Sequence, residues 1–116
     1  VFAAARCGAA PFVVIDLEQV GGIVPAKACA AVAGAAGIIP VLGCRASSGV
    51  STAAMLHLAA STPAISIANE IAPRQLRDSV LADSPEIVEG MILVPESPGL
   101  GVEVDRAKLE RRRPIV

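Results

Sequence analysis

Residues 12–48, FVVIDLEQVGGIVPAKACAAVAGAAGIIPVLGCRASS, decide how the rest of the chain is read. FVVIDLE is a short β-branched run that carries Asp16 and Glu18. The pair Gly21-Gly22 ends it, and the spacing that follows predicts a helix over about 25–36, with Pro25 tolerated in its first turn and Gly37 as its stop. Val24, Ala28, Ala31, Val32 and Ala35 fall on one stripe of that helix. IIPVLGC is a second apolar run, closed by RASSG. Two such runs joined by a helix predict two parallel strands with a right-handed crossover. In units of this kind the chemistry lies beyond the carboxyl ends of the strands. Those ends carry Asp16 and Glu18 on the first strand and Cys44 and Arg45 on the second. A carboxylate inside an apolar strand is costly to bury unless something uses it.

Working outward, residues 1–7 read as the last turns of a helix stopped by Gly8, and Pro11 opens the first strand. On that strand Phe12, Val14, Asp16 and Glu18 share one face and Val13, Ile15 and Leu17 the other, so both faces are mostly apolar, as for a strand buried on two sides. Downstream, Ser51 is placed to cap a second helix that ends before Pro63, with Met55, Leu56, Leu58 and Ala59 as its apolar surface. His57 lies within this helix among apolar neighbours and reads as a packed side chain. AISIANE predicts a third strand near 65–69, ending at Glu70, a residue that equally suits a solvated loop. RQLRDSVLA has the pattern of a short amphipathic helix. EIVEGMILVPESPGLGVEVD reads as a strand, a Pro/Gly loop and a strand end, and RAKLERRR as a charged terminal helix whose arginines suit the negative end of the helix dipole. The Gly21-Gly22 pair fits either a tight turn or a phosphate cradle, although neither G-x-G-x-x-G nor G-K-[ST] is present.

The chain has 116 residues, about one small domain, and a net charge of −1, which offers no field for nucleic acid or an anionic membrane. It lacks Trp and Tyr, so aromatic platforms for stacking bases are missing. Three cysteines without a C-x-x-C pair suit a reducing, cytoplasmic compartment better than a disulfide framework. With a single histidine, a two-cysteine, two-histidine zinc site is excluded. No secretory signal is visible, and a chain that opens Val-Phe-Ala inside a helical pattern reads as truncated. Lys27, Pro25, Pro40 and several glycines argue against a membrane span in residues 23–44.

Four pieces, VGGIVPAKACAAVAGAAGIIPV, SSGVSTAAMLHLAAS, Asn69-Glu70 and PGLGVEVD, together span nearly the whole chain. In this order they resemble the C-terminal part of the enolase superfamily, in its mandelate racemase and muconate-lactonizing branch. The ending PGLGVEVD after EGMILVP is the most specific of them. The resemblance implies an α/β fold: residues 1–86 as the last three strands of a partial (β/α)8 TIM-type barrel, and residues 87–116 as a segment returning to a capping domain. It also implies a Mg²⁺-dependent isomerase or lyase, within the intact parent, that abstracts a proton α to the carboxylate of a small substrate. The Mg²⁺ ligands would lie on three earlier strands outside this chain, and the parent would be a homo-oligomer.

By the same resemblance, Asp16 occupies the position of a catalytic residue that is Lys in one branch and Asp in the other. Cys44 replaces the histidine that pairs with that Asp, and stands either as an acid on the opposite face or as a packing or binding contact. Glu70 matches a carboxyl group near the substrate carboxylate. The catalytic candidates are thus Asp16, Glu70 and Cys44, and the candidates for binding substrate at the strand ends are Glu18, Arg45, Ser47 and Ser48. Two other readings use the same residues: a small α/β module binding an anion at Gly21-Gly22, and a catalytically silent relative, motivated by the missing Lys and His.

Overall fold

The structure is a computed structural model that describes residues 2–8, 10–44, 48–71 and 79–111. It begins with α1 (Phe2–Cys7), which stops at Gly8 with φ 58°. Strand β1 (Phe12–Ile15) follows, then a four-residue helix α2 (Leu17–Val20), helix α3 (Ile23–Ala35) and strand β2 (Ile39–Leu42). β1 and β2 are parallel, in the register Phe12–Ile39, Val13–Pro40, Val14–Val41 and Ile15–Leu42. Helix α4 (Gly49–Ala60) completes the unit. The core joins one side of this sheet to the two long helices: Ile15 and Leu42 meet Ala26 and Ala30 of α3 and Ala54, Met55 and Leu58 of α4, with Leu17 and Ile65 at the margin.

Helix α3 packs through alanine. Ala26, Ala30 and Ala33 are fully buried, whereas Val24 is 78% exposed and Ala28, Ala31 and Ala35 face outward. The stripe read from the sequence is therefore the outer one. In a helix composed almost wholly of Ala and Val, hydropathy does not distinguish the faces, and the smallest side chains allow the closest approach to the sheet. β1 likewise buries one face only. Ile15 is buried, while Phe12 is 50% and Val14 is 65% exposed, because no described residue covers that side of the pair.

Three expectations are corrected by local hydrogen bonding. First, β1 ends at Ile15 and not at Glu18. Asp16 accepts hydrogen bonds from the backbone N–H groups of Glu18 at 2.9 Å and Gln19 at 3.2 Å, which caps α2 and takes Glu18 off the strand. Second, the cap of α4 is Ser48, whose Oγ accepts from the Ser51 N–H at 3.3 Å, so Ser51 lies inside the helix. Third, residues 65–69 form no strand. The Asn69 side-chain oxygen accepts from the Leu42 N–H at 2.8 Å, where a neighbouring strand would offer a backbone carbonyl. The parallel ladder is thereby reduced to one bridge, Gly43–Glu70, in which the Glu70 N–H donates to the Leu42 carbonyl at 2.9 Å. The Ile65 N–H is already used by the Thr62 carbonyl.

The C-terminal part is a hairpin, β3 (Ile87–Val88) and β4 (Met91–Ile92), whose two-residue turn places Glu89 at φ 51° and Gly90 at φ 78°. Positive φ at both central residues matches the twist of a tight hairpin. Leu81, fully buried, bridges antiparallel to Val104. It sits so close to Gly49 that a Cβ there would lie 2.6 Å from its Cδ1, which locks this segment onto the start of α4. Residues 79–82 are thus not helical, and residues 74–78 of the expected amphipathic helix lie outside the described residues. His57 is half-buried and its Nε2 lies 3.2 Å from the Leu100 carbonyl, a structural use of the only histidine. No helix among the described residues is long and apolar enough to cross a membrane.

The last helix, α5 (Arg106–Glu110), is capped by Asp105, which accepts from the N–H groups of Ala107 and Lys108. The Lys108 N–H bond chiefly, then the Ala107 bond and the charges of Lys108 and Arg111, hold the Asp105 carboxyl below its ordinary range, against an opposing effect of burial. A depressed folded value means stability that is present above about pH 4 and lost as pH falls through the lowered value. Asp105→Asn should therefore lower the melting temperature at pH 7, with the deficit shrinking below pH 4 and vanishing in stronger acid. A deficit independent of pH would assign the residue a purely geometric role.

Candidate active site

The carboxyl ends of β1 and β2 open into a cavity of about 480 Å³ lined by Val14, Asp16, Gln19, Val20, Gly43, Cys44 and Glu70. It gathers all three catalytic candidates. Asp16 stands where β1 turns into α2, half-buried, with Oδ1 occupied by two backbone N–H groups and Oδ2 accepting from Gln19 Nε2 at 3.1 Å. Cys44 follows β2; its Sγ lies 3.8 Å from the Glu70 carbonyl oxygen. Glu70 is exposed, and its Oε2 lies 3.8 Å from where a Cβ on Gly43 would stand. That same Cβ would fall 2.5 Å from Val14 Cγ1, so glycine at position 43 is what allows β1 and β2 to end side by side beneath the cavity.

The substrate-binding candidates divide. Glu18 does not line the cavity; α2 turns it toward α4, where its Oε1 accepts from Ser51 Oγ at 2.6 Å. Ser48 is committed to the α4 cap. Arg45 and Ser47 lie outside the described residues. The Glu18–Ser51 bond is a charge-assisted tie between the helices that follow the two strands. Ser51→Ala is expected to destabilise by about 1 kcal/mol, with most of that cost absent in a Glu18→Gln background. Thermal melts of the four proteins in the cycle measure the coupling.

The Gly21-Gly22 turn is structural. Gly21 adopts φ 93°, and the N–H groups of both glycines donate to the Leu17 carbonyl, closing α2. Amides turned inward in this way do not cradle a phosphate.

Mg²⁺ requires near-octahedral oxygen coordination. Among the described residues no group of three or more His, Cys, Asp or Glu side chains could hold a metal ion. The cavity offers two carboxylates, and both oxygens of Asp16 are already hydrogen-bonded. This donor set does not fit Mg²⁺. What the cavity residues offer is a proton acceptor at Asp16 and polar contacts for a substrate.

Gln19 is the cavity residue that the strand reading missed. Asp16-Leu17-Glu18-Gln19 has the spacing of a capping box, a helix-start signal overlooked because the β-branched run was extended through it. Ile15 and Val20, flanking the box in the positions of a hydrophobic staple, both join the core.

Parallel strands joined through helices define an α/β domain, a class in which ligands bind beyond the carboxyl ends of the strands, where this chain collects its polar cavity residues. The chain matches the "Enolase C-terminal domain-like" family over residues 1–108 and belongs to it. It is 34% identical over 111 residues to muconate cycloisomerase 1-1 of Acinetobacter lwoffii, a match that covers 95% of this chain. The chain spans about 29% of that relative's length. An enolase structure from Thermobispora bispora, complexed with magnesium and formate, superposes with a TM-score of 0.86 at 37% identity, over 94% of this chain and 26% of that one. A muconate cycloisomerase from Azorhizobium caulinodans does so with a TM-score of 0.82 at 30% identity, over 94% and 31%.

Proposed function

We propose that these residues are the C-terminal part of the catalytic barrel of an enolase-superfamily isomerase, one that moves a proton at the carbon α to a substrate carboxylate. The observation that carries this reading is the cavity in which Asp16, Cys44 and Glu70 meet beyond the ends of β1 and β2. Asp16 is the proton-transfer group, with Oδ2 as its reacting oxygen. Glu70 and Cys44 contact the substrate from the second strand and its bridge. The Thermobispora enolase, complexed with magnesium and formate, supports a carboxylate ligand, and the muconate cycloisomerase relatives make muconate the first substrate to try. In this proposal Mg²⁺ is held by residues of the full-length protein outside this chain.

Residues 1–86 then supply barrel strands, the third reduced to the bridge at Glu70, and residues 87–116 reach a capping domain. Support for that division comes from the hairpin. Val88, Met91 and Leu93, the last 87% exposed, border an apolar groove of about 500 Å³. The chain is also more open than a compact domain of its length, with a Cα radius of gyration of 15.5 Å against about 13 Å.

The three hydrogen bonds already made by Asp16 favour a second reading, a relative that keeps the fold and caps α2 without catalysis. One experiment separates the two. The full-length protein with Mg²⁺ is incubated with muconate, and with other small carboxylic acids in D₂O. Consumption of muconate, or deuterium entering at an α-carbon, supports the first reading; neither from a folded, Mg²⁺-loaded protein supports the second.

A further inference from the structure

We infer that Gln19 is the positioning residue for the Asp16 carboxyl group, holding Oδ2 toward the cavity as a carboxylate and accepting a hydrogen bond from it as an acid. The inference rests on Asp16 being the proton-transfer group. A carboxylate has about four acceptor sites. Oδ1 spends its two on the N–H groups of Glu18 and Gln19, and Oδ2 spends one on Gln19 Nε2, leaving one. Both Asp16 and Gln19 line the cavity. Oδ2 is thus the oxygen to which a proton can be delivered.

For a substrate with a hydrogen on a saturated α-carbon, the α-C–H bond breaks, its electron pair moves into the substrate's own carboxylate as an enediolate, and an O–H bond forms at Oδ2. The reverse step returns the proton to carbon. Muconate, whose α-carbons are vinylic, reaches the enediolate when one carboxylate oxygen adds across the double bond conjugated to the other carboxylate, and the O–H bond at Oδ2 then breaks as its proton passes to the α-carbon. Oδ2 changes from acceptor to donor, and a partner fixed as a donor suits only one of the two states. The glutamine amide suits both: a half-turn about its terminal torsion replaces Nε2 by Oε1. The backbone from which it reaches is fixed at each end, by the Asp16 cap and by the Gly21 and Gly22 amides on the Leu17 carbonyl, while the neighbouring Glu18 is tied to Ser51. Only the side chain needs to move.

The test uses the full-length, Mg²⁺-loaded protein and two variants: Gln19→Met, which neither donates nor accepts, and Gln19→Lys, which only donates. With muconate as substrate, both should lower kcat by about 10- to 100-fold while KM stays within about threefold, with melting temperatures close to the parent's. A purely structural role would move melting temperature and leave kcat unchanged. If Gln19→Met keeps full kcat while Asp16→Asn is inactive, this inference falls and the functional reading stands. If Asp16→Asn also keeps full kcat, the functional reading falls and takes the inference with it. A substrate-free check is a crystal structure of the full-length protein. A Gln19 amide within about 3.5 Å of Asp16 Oδ2 supports the inference, and a separation beyond hydrogen-bond range overturns it whatever muconate does.

Discussion

Replacing Asp16 by Asn in the full-length protein is expected to lower turnover by about 10²–10⁴-fold, the usual contribution of a general base, with the fold retained. The retention follows from what Asp16 holds. Asparagine caps helices about as well as aspartate, so its side-chain oxygen keeps the N–H groups of Glu18 and Gln19 and α2 forms as before. The NH₂ group that replaces Oδ2 donates to Gln19 once the glutamine amide turns over, so no polar group is left unpaired. What is lost is the acceptor for a proton. Asp16→Ala makes a useful contrast, because it removes the acceptor and the cap together and should cost about 1 kcal/mol of stability besides. Equal losses of turnover in Asn and Ala, with a fall in melting temperature only in Ala, would separate chemistry from capping. The outcome that defeats the assignment is unchanged turnover in Asp16→Asn together with its abolition in Cys44→Ser, which would put the proton-transfer group on the second strand.

The parallel unit was readable because its signals are redundant. Two β-branched runs, Gly37 after the helix and Ser51 near the start of the next all point to strand–helix–strand–helix, and β1, α3, β2 and α4 form where that pattern puts them, within a few residues. The errors arise where a polar side chain substitutes for backbone. Asp16 ends β1 by capping, and Asn69 occupies the Leu42 N–H, so a period of two in the sequence did not become a ladder in either place. The outer face of α3 was misread for a different reason: in an Ala/Val helix the buried side is chosen by fit against Ile15 and Leu42, information that no single-helix pattern contains. At the site, the resemblance picked out Asp16 by its distance from Gly21-Gly22, and Asp16 does line the cavity, although the strand before it ends three residues earlier than its β-branched run suggests. The direction taken by Glu18 depended on α2, whose start signal lay in the overlooked box Asp16–Gln19.

Gly101→Ala is expected to be the most destabilising small change in the C-terminal segment, at about 2–5 kcal/mol, the sum of a left-handed backbone and an overpacked contact. Gly101 adopts φ 70°, and a Cβ there would fall 2.4 Å from Pro95 Cβ and 2.9 Å from the Pro95 carbonyl carbon and oxygen. A proline ring and its backbone have no rotamer by which to yield, so the loop itself must move. That loop carries Leu100, whose side chain packs against the core and whose carbonyl faces His57 of α4. Displacing it breaks the tie between the C-terminal segment and the helix that supports β2. Gly99, two residues earlier, is the control: it adopts φ 75° with nothing within 4 Å of its would-be Cβ. Gly99→Ala therefore bears the backbone cost alone, about 1–2 kcal/mol. Melting temperatures of the two variants in the full-length protein decide the matter. A clearly larger drop for Gly101→Ala supports the close packing of Pro95 on the PGLG turn, whereas equal drops would mean that the loop relaxes freely and that Leu100 and His57 do not anchor it.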